Sequence, residues 1–376
     1  MNKLDIELFN KIFGDKGGYF NVESDKTTPE IFTHLLTKCQ GIVTDVTIKM
    51  ENPPEILLNY VDNDSLNAGV AKVKDTYIIG INLGTVIVVF SIFNLMMGCK
   101  TAFPYLGETE NLKCPKLENP HWLQEGNLYQ FLNKNTEHPS ELTDPTRLQM
   151  ALILTEFAME FLTLHELSHI IYGHVDYRLR LYNESEMDDG KVSLFQDAVE
   201  GLTAQALELD ADTRAIWLSS HYMIEASKTL NENTPFNGLL QNMQQYIGTY
   251  VFAIVTLSRL QGIIKFDKNT LDRQSHPTPG MRVLHFIEIL LDRIHNGLLN
   301  KFCSDELKND ALNIINYYIQ QVEHTFKEIS INEQIAKEGN KMYAFLADNI
   351  DHYNKILKKY EEIYVELSTY KFKNKY

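Results

Sequence analysis

Two histidines one helical turn apart, His165 and His169, with Glu166 beside the first, are the residues in this chain best placed to do chemistry. They lie inside a long apolar stretch that reads as a helix. At i and i+4 both side chains leave the same face of a helix. Their ring nitrogens can then reach one zinc ion at about 2.0–2.1 Å. Glu166 can sit beside such an ion without binding it. From there it can take a proton from an attacking water whose pKa zinc lowers to about 7.

A catalytic zinc site needs a third protein ligand and one open position. The pattern HExxHxxGxxH is excluded, because Tyr172 and Val175 stand where it requires Gly and His. The alternative is a carboxylate from a later helix. Glu208 opens the segment Glu208-Leu209-Asp210-Ala211-Asp212. Glu208 and Asp212 are again i and i+4 and share a face. Glu208 suits a ligand, and Asp212 suits the role of accepting the outer N–H of a ligand imidazole. An acidic run of this kind is ordinarily a solvated face. Here Ala211 allows close approach of the histidine helix, and Ala204, Leu207 and Ala215 give the segment an apolar side. Asp210 falls off the shared face and reads as a surface residue. His174 would lie about 140° further round a continuous helix than His169, so it reads as structural or supporting rather than as a ligand.

The surrounding elements must bring those residues together. Residues 1–40 read as two short amphipathic helices around a turn at Asp15-Lys16-Gly17-Gly18. Ile42 to Met50 reads as a strand, ended by Pro53-Pro54. Leu66 to Ile81 reads as a hairpin turning near Lys74-Asp75. Tyr77 to Cys99 carries no charge and is long enough to span a membrane. Its Gly80, Asn82, Gly84, Ser91 and Asn94, and the lack of a strongly basic flank on either side, favour a buried strand, a turn at Gly84 and a buried helix. Lys100 to Thr143 reads as an irregular insertion or lid. Asp144-Pro145 is a helix start, and the helix should run from Pro145 to about Tyr172 and end at Gly173. Further helices are expected over about 194–224, 246–257, 280–295 and 305–370, separated by loops at 182–193, 231–236 and 273–279. The fold class is α+β and predominantly helical.

The chain has 376 residues, 44% of them hydrophobic, enough for a sizeable core. A net charge of −15 argues against a nucleic-acid partner and disfavours an anionic membrane surface. Cys39, Cys99, Cys114 and Cys303 are scattered without a CxxC pair, which suggests free thiols in a reducing compartment. No apolar leader is recognisable in the first residues, so a cytoplasmic location is expected.

With those residues in hand, the chain resembles the gluzincin metallopeptidases. It is most similar to the superfamily of the CAAX-prenyl endopeptidases and the HtpX heat-shock protease, and to its soluble relatives of the phage-exclusion Lit type. Four segments carry the resemblance: His165 to His174, Glu208 to Asp212, His276-Pro277 through Arg282, and Leu66-Asn67-Ala68 followed by Tyr77 to Gly84. Together they span about residues 66–285. The resemblance implies a zincin-like core with a small sheet, along whose hairpin edge a peptide substrate lies, and a helical C-terminal extension. It implies one zinc ion per chain, held by His165, His169 and Glu208, with Glu166 as general base and then proton donor. It places His276 near the reacting centre as an oxyanion donor, although a loop histidine capping the next helix fits the residues equally well. Arg282 is read as an ion-pair partner of Asp212 or another carboxylate, in preference to a contact with a substrate carbonyl. The membrane-bound members have several transmembrane helices that this chain lacks, which points to the soluble branch.

The expected division is an N-terminal extension over 1–65, the peptidase domain over 66–295 and a C-terminal helical region over 296–376. The expected partner is an intracellular protein or peptide substrate, with an activating peptide or protein as a further partner. The leading expectation is a regulated, defence-related zinc endopeptidase. Two alternatives stand beside it: a regulatory protease that cleaves a repressor, and a non-catalytic zinc-containing module that binds a protein.

Overall fold

In chain order the elements are α1 (Lys3–Phe13), α2 (Glu30–Thr47), β1 (Glu55–Val61), β2 (Ala68–Val73), β3 (Thr76–Asn82), α3 (Leu83–Met97), α4 (Pro145–Ile171), α5 (His174–Tyr182), β4 (Glu186–Asp188), α6 (Ala198–Thr229), α7 (Met243–Gln261), α8 (Pro279–His295), α9 (Asp305–Ile329) and α10 (Ile350–Tyr364). They come from a computed structural model that describes residues 2–23, 30–110, 112–114, 144–184, 186–188, 194–229, 239–261, 269–329, 349–367, 369–370 and 372. The expected lid lies largely outside the described residues, as does the loop at 231–236.

The histidine helix starts at the signal visible in the sequence. The Asp144 side chain accepts hydrogen bonds from the backbone N–H groups of Thr146 and Arg147, and Pro145 occupies the first helical position. From there α4 is buried along nearly its whole length, because α2, α3, α6 and α7 pack around it. That is why the stretch is apolar without a polar stripe. The helix stops at Ile171. Gly173 adopts a left-handed conformation at φ 79°, and α5 begins immediately on a new axis.

A four-stranded mixed sheet in the order β1-β3-β2-β4 lies against this bundle. The β2–β3 hairpin turns at Lys74, as its spacing indicates, and Ala68 faces Ile81 across it. β3 leads directly into α3, so the uncharged Tyr77–Cys99 stretch is a buried strand followed by a 15-residue buried helix. Gly84 lies inside α3 and makes no turn. Its position is set by packing, since a Cβ there would collide with the Asp64 carbonyl. Among the described residues, no helix is long and apolar enough to cross a membrane.

Three expectations are corrected. Ile42 to Thr47 is the last third of α2 and not a strand. The buried residues Phe32, Leu35, Cys39, Ile42, Val43 and Val46 follow the helical period, which the β-branched residues obscured. The strand forms instead after Pro53-Pro54, as β1, and pairs parallel with β3. The outer edge of β2 is not open along its length, because β4 pairs with it antiparallel over Gly69–Ala71. Finally, Cys99 and Cys114 form a disulfide, leaving only Cys39 and Cys303 as buried free thiols. The chain turns back after α3, a reversal that a separation of 15 positions did not reveal.

One hydrophobic core runs through the molecule, from Val22 near the N-terminus to Ile363 on α10. It takes in residues on both sides of positions 65 and 295: β1 belongs to the sheet, and α10 packs on α6. A smaller cluster of Phe9, Phe13, Val61, Val73 and Ile78 seats α1 on the far side of the sheet.

Candidate metal centre

α4 and α6 cross face to face, and their contact builds the site. Ala211 is fully buried there, which lets the two backbones approach. His165 and His169 project from α4 toward Glu208 on α6. The Nε2 atoms of the two histidines are 3.1 Å apart. His165 Nε2 is 3.2 Å from Oε2 of Glu208, and His169 Nε2 is 3.6 Å from its Oε1. Three ligand atoms each about 2.0–2.1 Å from a tetrahedral ion stand about 3.3 Å apart. The buried group His165, His169 and Glu208 can therefore hold a metal ion.

The protonation pattern agrees with the distances. Burial, followed by the neighbouring His165 and His174, pushes the His169 imidazolium well below its ordinary pKa, so His169 is neutral and able to coordinate. Burial pushes the Glu208 carboxyl up, but His276, His165 and Arg282 outweigh it and hold the group below its usual range. Glu208 is thus an anion inside the bundle, which is costly unless cations or donors surround it.

Asp212, one turn beyond Glu208, receives a hydrogen bond from His165. His165 Nδ1 is 2.9 Å from Asp212 Oδ1. Arg282 at the start of α8 holds the same carboxylate at two points, Nε to Oδ2 at 2.8 Å and Nη2 to Oδ1 at 2.7 Å. Burial pushes the Asp212 carboxyl up, but Arg282 and His165 prevail and hold it well below the usual carboxylate range. An ionised carboxylate only accepts, so His165 donates from Nδ1. Its Nε2 is the atom that faces the carboxylate of Glu208.

One further expected residue is brought to the same place. His276, in the turn before α8, lies with Nε2 3.8 Å from Glu208 Oε2, and its Nδ1 contacts Ser275 Oγ at 2.8 Å. The turn is tied to α6 by Gln205, whose amide donates to the carbonyls of Leu271 and Gln274. Glu166 is buried next to His165.

Two neighbours, Asp210 and Arg178, escaped the sequence reading, and a third, His174, stands in the supporting place expected of it. Asp210 is not on the surface but buried, 3.0 Å from Nε2 of His174. His174 has its Nδ1 3.0 Å from Nδ1 of His169. Arg178 on α5 is buried, pairs with Glu184 and stacks over Phe195 at 5.3 Å, and Glu208 acts on its charge. All three depend on the bend at Gly173. With a straight helix neither His174 nor Arg178 would turn toward α6.

A second group, Cys99, Cys114 and Glu328, is also close enough to hold a metal. Its two sulfurs are joined to each other, and a disulfide offers no thiolate to a metal. The α4–α6 group is the better site. Comparison of the chain with family models, curated proteins and solved structures yields no match.

Proposed function

We propose that this chain is a zinc-dependent endopeptidase that hydrolyses peptide bonds of a protein substrate. One observation carries the reading. His165 donates outward to Asp212, and its inner Nε2 and the Nε2 of the neutral His169 both face the anionic Glu208, at 3.2 and 3.6 Å. A buried carboxylate facing two imidazole nitrogens needs positive charge between them, as a proton or as a metal ion. A metal ion bound by His165, His169 and Glu208 meets that requirement. Two histidines and a glutamate, with Glu166 adjacent to the first histidine, are the donor set of a catalytic zinc and not of a Cys-rich structural one.

When bound there, zinc supplies Lewis-acid polarisation of the scissile carbonyl and acidification of the attacking water. The protein's own groups do the rest. Glu166 accepts the proton of the attacking water and returns it to the leaving amine. His276 donates a hydrogen bond to the developing oxyanion. Asp212 and Arg282 hold the His165 ring in one tautomer and one orientation. An extended substrate would pair along β2, either beyond Gly69–Ala71 or in place of β4, which holds that stretch. The resemblance to the phage-exclusion Lit type supports an intracellular protein substrate and a regulated defence role.

The test is metal content and proteolysis of purified wild type, Glu166→Gln and Glu208→Ala. One zinc per chain is expected in wild type and Glu166→Gln. Glu208→Ala should hold much less. Cleavage of a denatured protein mixture should fall by about 10²–10⁴-fold in Glu166→Gln. Absence of zinc from all three after metal-replete purification would end this reading.

The burial of the ligands, with His165 at 0%, His169 at 1% and Glu208 at 4% exposure, favours a second reading, a structural metal in a non-catalytic binding module. That reading requires Glu166→Gln to leave function intact.

A further inference from the structure

His169 is not in contact with Asp212, and it needs a partner of its own for Nδ1. The nearest polar atom shown is Nδ1 of His174, at 3.0 Å. Two imidazole nitrogens at that separation share one proton, and which ring carries it can be worked out from the far side. Nε2 of His174 is 3.0 Å from Oδ2 of Asp210. Asp210 is buried and receives Nε of Arg214 on its other oxygen at 3.0 Å. Facing a guanidinium, it is a carboxylate and only accepts. The His174–Asp210 bond therefore takes its proton from His174 Nε2. With Nε2 of His169 turned to the metal position, its Nδ1 carries the ring proton and can donate to Nδ1 of His174, 3.0 Å away.

We propose that His174 is the positioning residue of His169: it accepts the His169 Nδ1 proton, is itself held by Asp210, and so fixes the Nε2 lone pair of His169 toward the metal position. This rests on the zinc reading above and extends it. Each ligand histidine has a line of support ending in an arginine. His165 is backed by Asp212 and Arg282; His169 is backed by His174, Asp210 and Arg214. The second line also reaches the C-terminal helix, because Nη2 of Arg214 is 3.1 Å from the hydroxyl of Tyr360 on α10. Arg214 is further held between the rings of Tyr172 and Trp217, at 4.3 and 4.6 Å. The bend at Gly173 makes this possible by swinging His174 back over the end of α4.

The experiment is Zn2+ affinity, measured by competition with a chromophoric chelator, for wild type, His174→Ala and His174→Gln. Removing an outer partner of a ligand histidine should weaken zinc binding by about 10–100-fold in His174→Ala. Glutamine can accept from His169 through its oxygen and donate to Asp210 through its amide, so His174→Gln should recover most of the loss. In zinc-loaded wild type, nitrogen-15 NMR of the imidazoles should show His169 protonated at Nδ1 and His174 at Nε2. A folded His174→Ala that binds Zn2+ within about twofold of wild type would overturn the proposal. If His174→Ala does not fold, the NMR tautomers decide, and a proton on Nδ1 of His174 would overturn it. A wild type that binds no Zn2+ removes both this role and the zinc reading, whereas zinc-loaded wild type with an indifferent His174 removes only this role.

Discussion

Arg282 and Asp212 meet in a two-point ion pair, Nε to Oδ2 at 2.8 Å and Nη2 to Oδ1 at 2.7 Å, and the same Oδ1 lies 2.9 Å from His165 Nδ1. One carboxylate thus serves a buried arginine and a ligand histidine together. Asp212→Asn keeps the shape but replaces one acceptor oxygen by an amide, so Arg282 and His165 can no longer both be satisfied. Zinc affinity should fall by about 10–100-fold. Stripping the charge from the partner of a buried arginine should also lower stability by about 3–5 kcal/mol. Chelator competition and urea unfolding on the same preparations measure the two effects separately.

Glu160 predicts a pH dependence of stability. It is buried on α4, and burial pushes its carboxyl up from 4.5 to about 7 despite Lys38 and a hydrogen bond from Ser219. Between those values the folded protein holds a proton that the unfolded chain has lost. This contribution to stability is complete below about pH 4.5 and declines as pH rises through about 7. The displacement corresponds to about 3 kcal/mol. In Glu160→Gln that decline is removed, so the variant should gain on wild type from pH 5 to about pH 7 and level off by pH 8. Urea unfolding of both proteins across that range isolates the group, because other titrations cancel in the difference.

The chemistry-bearing residues were legible wherever their relation was local. The His165–His169 pair and the Glu208–Asp212 pair are i and i+4, and helical geometry alone brings each pair to one face. Helix α4 was legible at its start, because Asp144 and Pro145 are chemical signals, and at its end, because Gly173 is one too. The consequence of that end was not legible. Rotating His174 by a fixed angle per residue assumes a continuous axis, and the left-handed Gly173 breaks it. Asp210 was misplaced because it was judged only against the face of Glu208 and Asp212, whereas its partner His174 lies beyond the bend. Strand β1 was hidden because its partner β3 is parallel to it and reached only after the intervening β2, a non-local pairing with no sequence spacing of its own.

Arg147 shows how the bundle secures the N-terminal end of α4. Its guanidinium is fully buried and donates to five carbonyls, those of Met97, Cys99, Ala102, Phe103 and Leu106, at 2.5–3.3 Å. These are the acceptors left over where α3 ends and the chain turns back. Arg147→Met fills similar volume and donates nothing. Several buried carbonyls lose their donors at once, so the loss should be about 3 kcal/mol or more. Chemical denaturation should show it as a lower midpoint with little change in slope.

Gly201 ties the geometry of α6 to the turn that carries His276. A Cβ at this position would overlap the Asp272 carbonyl and lie 2.6 Å from the Arg273 Cα. Both neighbours are backbone and cannot swing aside, so Gly201→Ala must push the 271–274 turn away from α6. Gln205, one turn along, holds that same turn through Leu271 and Gln274, and His352 on α10 braces Gln205 at 2.9 Å. Overpacking of this kind costs about 1–3 kcal/mol. Its effect at the site should be selective. His165, His169 and Glu208 sit on α4 and on the part of α6 beyond the disturbance, whereas His276 rides on the displaced turn. Zinc content should therefore stay near wild type while the cleavage rate falls by about 10²-fold. Metal analysis and proteolysis of one Gly201→Ala preparation check this, and a parallel loss of zinc and activity would show that the displaced turn also shapes the metal ligands.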